Sequence, residues 1–113
     1  MANRPVVAEY PAPWFGALPP IDGWVVRHNE ADDRLNIHLG TPRPGVSVDF
    51  EDNVWLRIDP GTGEVVGIEI EDFTCAFLVR YPRLRASWHA ACDLTSKVAW
   101  SAELLESIRA RTA

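Results

Sequence analysis

Val54-Trp55-Leu56-Arg57-Ile58-Asp59-Pro60-Gly61-Thr62-Gly63-Glu64-Val65-Val66-Gly67-Ile68-Glu69-Ile70 holds two runs of alternating apolar residues around an Asp-Pro-Gly-Thr-Gly turn. Alternation on both sides of such a turn predicts a β-hairpin. Val54, Leu56 and Ile58 form one face, Val66, Ile68 and Ile70 the matching face of the return strand, and Arg57 and Glu69 point outward. Gly67 leaves room for a close backbone approach or a bulge. Trp55 alternates out of the apolar face, so its side of the sheet needs a cover, either helices or another subunit.

Working back from the hairpin, Val46 to Phe50 alternates and reads as a short edge strand. Trp24 to His28 and Asp33 to Leu39 bracket a polar turn, Asn29 to Asp32. In the second of these runs Leu35, Ile37 and Leu39 share one face, which predicts a half-buried strand with His38 toward solvent and His28 near Asp33. Residues 1–23 carry five prolines between Pro5 and Pro20, with Trp14 and Phe15 among them. Proline fixes φ and removes a ladder donor, so this stretch is expected to be an extended arm. Its aromatics should lie on the domain itself or on a partner.

Beyond Asp72 the period changes. Phe73, Ala76, Phe77 and Arg80 recur at helical spacing, with Asp72 as the expected N-cap. Pro82 ends that helix and opens a second, from Arg83 to about Cys92, with Leu84, Trp88 and Ala91 on one face. Asp93, Thr95 or Ser96 caps a last helix carrying Val98, Leu105 and Ile108, with Trp100 and Leu104 close by and arginines at its C-terminus. The fold class is therefore α+β. A small antiparallel sheet of four to five meander-like strands (24–72) is followed by two or three helices (73–113) that pack on the sheet or on a partner subunit.

Residues 24–70 also resemble a known family. Asp33, Leu35 and Ile37 match a "DxLyI" strand, and Val66-Gly67-Ile68-Glu69-Ile70 matches a "vGIEI" strand. Both motifs are similar to those of the domain of unknown function 2283 family of small bacterial and archaeal domains. The chain departs from that pattern in its Pro-rich arm, in Asn36 where an aromatic is usual, and in its helical extension. The resemblance implies a fold and no activity. Some members of that family resemble partners of small toxin-like proteins.

The 113 residues suit a single domain, and 47% hydrophobic content with five tryptophans supplies a core. No apolar run is long enough to span a bilayer, and no signal-peptide core follows the N-terminus, so a cytoplasmic protein without a membrane partner is expected. Cys75 and Cys92 read as inert core thiols. Charge is uneven. Residues 1–72 hold five Arg against thirteen acids, or −8, whereas residues 73–113 hold six cations against three acids, or +3. An acidic chain is no partner for duplex DNA.

The acidic turns at Asn29–Asp33, Asp49–Asp52 and Asp59–Glu64 lack the spacing of a calcium loop. His89, Cys92 and Asp93, at i, i+3 and i+4 of the second expected helix, are the one constellation with zinc-ligand or nucleophile–base character, short of a full ligand set. No phosphate loop, nucleophile elbow or Cys-x-x-Cys pair is present. Neither cofactor nor catalytic residue is therefore assigned. The cluster Arg80-Tyr81-Pro82-Arg83-Leu84-Arg85 is the best match to an anionic partner. Single-stranded RNA uses such cations with a stacking ring, but a solvated helix junction accounts for them equally and RNA is not the expected partner. Pairing with the acidic half, within the chain or between subunits, is a third reading.

The large apolar side chains outside the sheet faces point first to a non-enzymatic interaction module acting as a homo-oligomer, with a dimer expected. Its surface would comprise Trp14, Phe15, Trp55, Arg57, Glu69, Arg80, Tyr81, Arg83 and Arg85. A ligand-binding domain or small enzyme with a pocket between sheet and helices is the alternative. A third is an antitoxin-like inhibitor of a basic partner, which the −8 half would neutralise.

Overall fold

The computed structural model of the protein describes residues 10–112. Five strands, β1 (Val25–Asn29), β2 (Arg34–His38), β3 (Val46–Glu51), β4 (Val54–Ile58) and β5 (Val65–Ile70), form one antiparallel sheet. Three helices follow it: α1 (Leu78–Arg80), α2 (Pro82–Ala90) and α3 (Leu94–Thr112). This is the α+β arrangement that the change from two-residue to helical periodicity predicts.

The strand order is β1-β2-β5-β4-β3. Strands β3, β4 and β5 form a meander, but the β1–β2 hairpin joins it through β5, so the most apolar strand runs down the centre. Each of its apolar residues from Ile68 to Ile70 that faces the helices is matched by Leu35 or Ile37 on one side and Val54 or Leu56 on the other. All are at most 1% exposed. A central strand is buried on its helical face and paired on both edges, which suits the β-branched residues Val65, Val66, Ile68 and Ile70.

The register shifts between Arg57 and Ile58, where Ile58 pairs with Val65 and leaves Val66 unpaired. This bulge exchanges the two valines. Val65, not Val66, joins the helix-facing core, and Val66 is buried outside it. Gly67 sits beside the bulge, where a Cβ would lie 2.8 Å from the Ile37 carbonyl oxygen. The close approach of β2 therefore requires glycine here. A second shift, between Asp49 and Glu51, leaves Phe50 as an extra residue in the edge strand β3.

The helices cover one face of the sheet only. Phe73, Phe77, Leu78, Leu104, Leu105 and Ile108, each at most 1% exposed, fill the space against it. Trp88 and Trp100 meet at 4.9 Å between ring centroids, and both present edges or faces to Phe73. Such tilted pairs are favoured by the ring quadrupoles. The Trp100 indole N–H donates to the Leu84 carbonyl at 2.9 Å, so its burial leaves no orphan donor.

The first helical segment departs from its expected form. Phe73–Phe77 is a π turn, closed by the Phe77 amide on the Asp72 carbonyl at 3.0 Å, before α1 begins. Asp72 is in the left-handed region (φ 50°, ψ 49°) and makes no side-chain cap. A residue in that conformation does not aim its carboxylate at the following amides, so the expected Asp72 cap is replaced by one from another element, described below. Asp93 does cap α3, accepting from the Ser96 amide at 2.7 Å, and this contact holds its carboxyl below its ordinary pKa.

Candidate functional site

The face of the sheet away from the helices is open among the described residues. The register aligns Arg27, Asn36, Glu69, Trp55 and Asp49 in one row across the five strands. A neighbouring row runs Val25, His38, Gly67, Arg57 and Ser47. Every side chain of these rows is exposed or half-buried, whereas the opposite face is closed.

Trp55 lies half-buried in a cleft of 190 Å³ lined by Arg34, Ser47, Glu69 and Glu71. Its indole N–H points to Glu71 Oε1 at 3.4 Å, the long end of hydrogen-bond range. The same carboxylate pairs with Arg34 Nη2 at 3.1 Å. Ser47 donates to Glu69 at 2.6 Å, and Arg57 donates to Ser47 Oγ at 3.3 Å and to the Gly45 carbonyl at 2.8 Å. Trp55, Arg57 and Glu69 thus belong to one surface, as their alternation predicts. Sequence reasoning missed Arg34 and Ser47, which reach this cleft from β2 and β3, and Glu71, which follows the end of β5. Arg34 Nε is buried without a hydrogen-bond partner, an unmet donor beside the indole.

The arginine cluster divides. Arg80 turns to the β3–β4 turn, donating to Asn53 Oδ1 and to the Asp52 carbonyl, both at 2.7 Å. Tyr81 OH donates to Glu51 Oε2 at 2.5 Å, and Arg111, from the end of α3, closes on the other oxygen of the same carboxylate. The Arg111 guanidinium also lies over the Phe50 ring, 5.3 Å from its centroid. These residues pair with the acidic half inside the chain. Arg83 and Arg85 remain exposed on α2, with no side-chain hydrogen bond among the described residues. The six-residue cluster is therefore not a single cationic surface.

The described part of the arm packs on its own domain. Trp14 makes a parallel bridge to Glu64, with the Trp14 amide donating to the Gly63 carbonyl at 3.1 Å and the Val65 amide donating to the Trp14 carbonyl at 2.9 Å. The indole N–H adds a bond to the Thr62 carbonyl at 2.7 Å. Trp14 is still 48% exposed, while Phe15 packs on the core with Arg109 over its ring. Residues 1–9 of the expected arm lie outside the described residues. Trp24, Trp88 and Trp100 are buried within the chain and Trp55 is half-buried, so among the described residues the exposed aromatic side chains are Tyr10 and Trp14.

The His89, Cys92 and Asp93 constellation does not form on a helix. α2 ends at Ala90, so the i, i+3, i+4 geometry is lost, and Asp93 is occupied as the cap of α3. Among the described residues no group of three or more His, Cys, Asp or Glu stands close enough to hold a metal ion. The expectation of buried thiols is also corrected, because Cys75 and Cys92 are both free and exposed. Some desolvation and the nearby Asp33 and Asp72 carboxylates push the Cys75 thiol above its ordinary pKa. That is the wrong direction for a nucleophile at neutral pH.

One polar cluster was only half legible. His28 Nε2 meets Asp33 Oδ1 at 2.9 Å, as the short turn predicts. The same carboxylate also caps the π turn, accepting from the amides of Thr74 and Cys75 and from the Thr74 hydroxyl. Burial alone would raise the Asp33 pKa, but the bonds from His28, Thr74 and Cys75 outweigh it and hold it at about 2. No local signal ties Asp33 to a helical segment so far along the chain.

Compared with protein-family models, with curated proteins and with solved structures, the chain matches none. The likeness of residues 24–70 to the domain of unknown function 2283 family rests on its motifs alone. No helix among the described residues is long and apolar enough to cross a membrane.

Proposed function

We propose that the protein is a non-enzymatic interaction module that acts as a homo-oligomer, in its simplest form a dimer, through the open face of its sheet. The observation that carries this reading is the placement of Trp55. All three helices pack on the opposite face, so the cover that its alternation calls for does not come from them.

The cleft around Trp55 favours a protein surface over a small molecule. Its 190 Å³ is below the roughly 300–1,000 Å³ of ordinary ligand pockets. Its carboxylates are already paired with Arg34 and Ser47. The space between sheet and helices, where a catalytic pocket would lie, is filled by Phe73, Phe77, Leu104 and Leu105.

Light scattering across the micromolar range tests the reading. A dimer that weakens on Trp55→Ser supports it, and a strict monomer throughout overturns it.

A further inference from the structure

β1 is an edge strand, and its outer edge differs from the one across the sheet. The Leu39 amide donates to the Val66 carbonyl at 3.1 Å. Backbone groups alternate sides along a strand, so Leu35, Ile37 and Leu39 turn theirs to β5, and Arg34, Asn36 and His38 turn theirs to β1. β1 answers with Val25, Arg27 and Asn29, which leaves Val26 and His28 each aiming an N–H and a C=O away from the sheet. Neither backbone has a further partner among the described residues. The far edge is guarded: Pro42 and Pro44 precede β3, Phe50 bulges from it, and Arg111 lies over that ring. β1 holds no proline and pairs in even register along its whole length.

The two sides of this edge differ in chemistry. On the open face Arg27 is exposed, and its guanidinium has no hydrogen-bond or ion-pair partner among the described residues. On the helical side, by Trp24, an apolar hollow of 390 Å³ opens between the Ile21–Gly23 turn and the first turns of α3. Ile21, Trp24, Leu94, Thr95, Val98 and Ala99 line it, and Ile21 and Leu94 are 46% and 65% exposed. We infer that an extended segment of a partner protein, alternating apolar and acidic side chains, adds to β1 as an antiparallel strand. Its residues opposite Trp24, Val26 and His28 face the helices, and the one opposite Trp24 fills the hollow. Its residue opposite Arg27 stands on the open side in a non-hydrogen-bonded pair, the closer of the two kinds, where a carboxylate meets the guanidinium. Main-chain bonds supply affinity, and the alternate side chains supply selectivity. β1 of a second copy is a poor occupant, because the register that pairs all its residues sets Arg27 against Arg27. The edge contact is separate from the self-association proposed above, which uses the open face.

The probe is a short end-capped peptide of alternating leucine and glutamate, made in two forms. Methylated on its glutamate nitrogens, it keeps the leucine amides that face β1 and has no second edge on which to stack. Methylated on its leucine nitrogens, it has the same side chains and charge but lacks those donors. The first form should bind one to one and shift the Val26 and His28 amide resonances, and the second should not bind. Arg27→Glu should weaken the first form about fivefold or more, and a version with lysine for glutamate should prefer that variant. Leu94→Ser should weaken binding as well. Both substitutions are at exposed positions, and melting temperatures check that the variants fold. Equal binding of the two forms, or no binding of either at millimolar peptide, overturns the added strand. Binding indifferent to Arg27→Glu or to Leu94→Ser overturns the side-chain chemistry assigned to the segment. Protection of the Val26 and His28 amides from hydrogen exchange that disappears on dilution of the native chain gives the edge to a second copy and overturns a peptide partner.

Discussion

The Asp33 carboxylate and Thr74 are joined twice, Asp33 Oδ2 accepting from the Thr74 amide at 3.0 Å and from its hydroxyl at 3.0 Å, across 41 residues of chain. The turn between β1 and β2 thereby caps the helical segment and fastens it to the sheet. His28 completes the arrangement, its ring held between Asp33 and the edges of Phe73 and Trp88.

Removing that carboxylate should loosen the helices from the sheet. Asp33→Ala is expected to cost about 2 kcal/mol, for a lost cap and a lost partner of His28, or roughly 10 °C in melting temperature for a domain of this size. Asp33→Asn keeps the cap and should cost about half as much. Thermal unfolding followed by far-ultraviolet circular dichroism measures both.

The same group sets an acid limit. Its folded pKa, about 2, lies below its value in the unfolded chain, about 3.9. Its contribution is therefore present above pH 4 and is lost as pH falls toward 2, amounting to about 1–2 kcal/mol after allowance for solvent screening. Denaturant titrations between pH 5 and pH 2.5 should show a steeper loss for the native chain than for Asp33→Asn. Equal slopes would remove Asp33 from the account.

Asp33 and Asp72 share the left-handed backbone, with φ of 53° and 50°, and glycine should separate their roles. At Asp72, whose side chain makes no cap, Asp72→Gly relieves strain and is expected to be neutral or stabilising by up to about 1 kcal/mol. At Asp33 the same relief is outweighed by the lost bonds, so Asp33→Gly should destabilise. Melting temperatures of the two variants should separate accordingly, with Asp33→Gly falling and Asp72→Gly unchanged or higher.

Gly63 is where the arm meets the hairpin. Its φ is +83°, and a Cβ there would stand 2.5 Å from the Ala12 carbonyl oxygen. Gly63→Ala is therefore expected to push the arm off the turn, breaking the Trp14 bridge and making residues near Trp14 accessible to protease. Gly61→Ala, where a Cβ meets only Asp59 Oδ1 at 3.3 Å, should leave the arm in place.

Glu51 gathers Tyr81, Arg80 and Arg111 at one carboxylate. Tyr81→Phe should cost about 1 kcal/mol and Glu51→Ala about 2, with the double variant costing less than their sum. Additive losses in a double-mutant cycle would show that the two residues do not act together.

The sequence alone determined the elements of this protein. Alternation marked the strands around Leu35–Leu39 and Val54–Ile70, helical spacing marked Leu84–Trp88 and Val98–Ile108, and prolines marked the arm and the start of α2. These signals are local, because a residue's periodicity follows from its own backbone geometry. The outward direction of Trp55, Arg57 and Glu69 was legible for the same reason.

Tertiary structure decided what the elements meet. It placed β5 at the centre of the sheet, exchanged Val65 for Val66 at a bulge, and moved the helix cap from Asp72 to Asp33. It also ended α2 before Cys92, dispersing the His89–Asp93 constellation, and turned Arg80 and Tyr81 inward to Glu51. Each of these outcomes depends on competition among partners far apart in the chain, settled by which side chains can be buried and paired together. Local spacing does not record that competition.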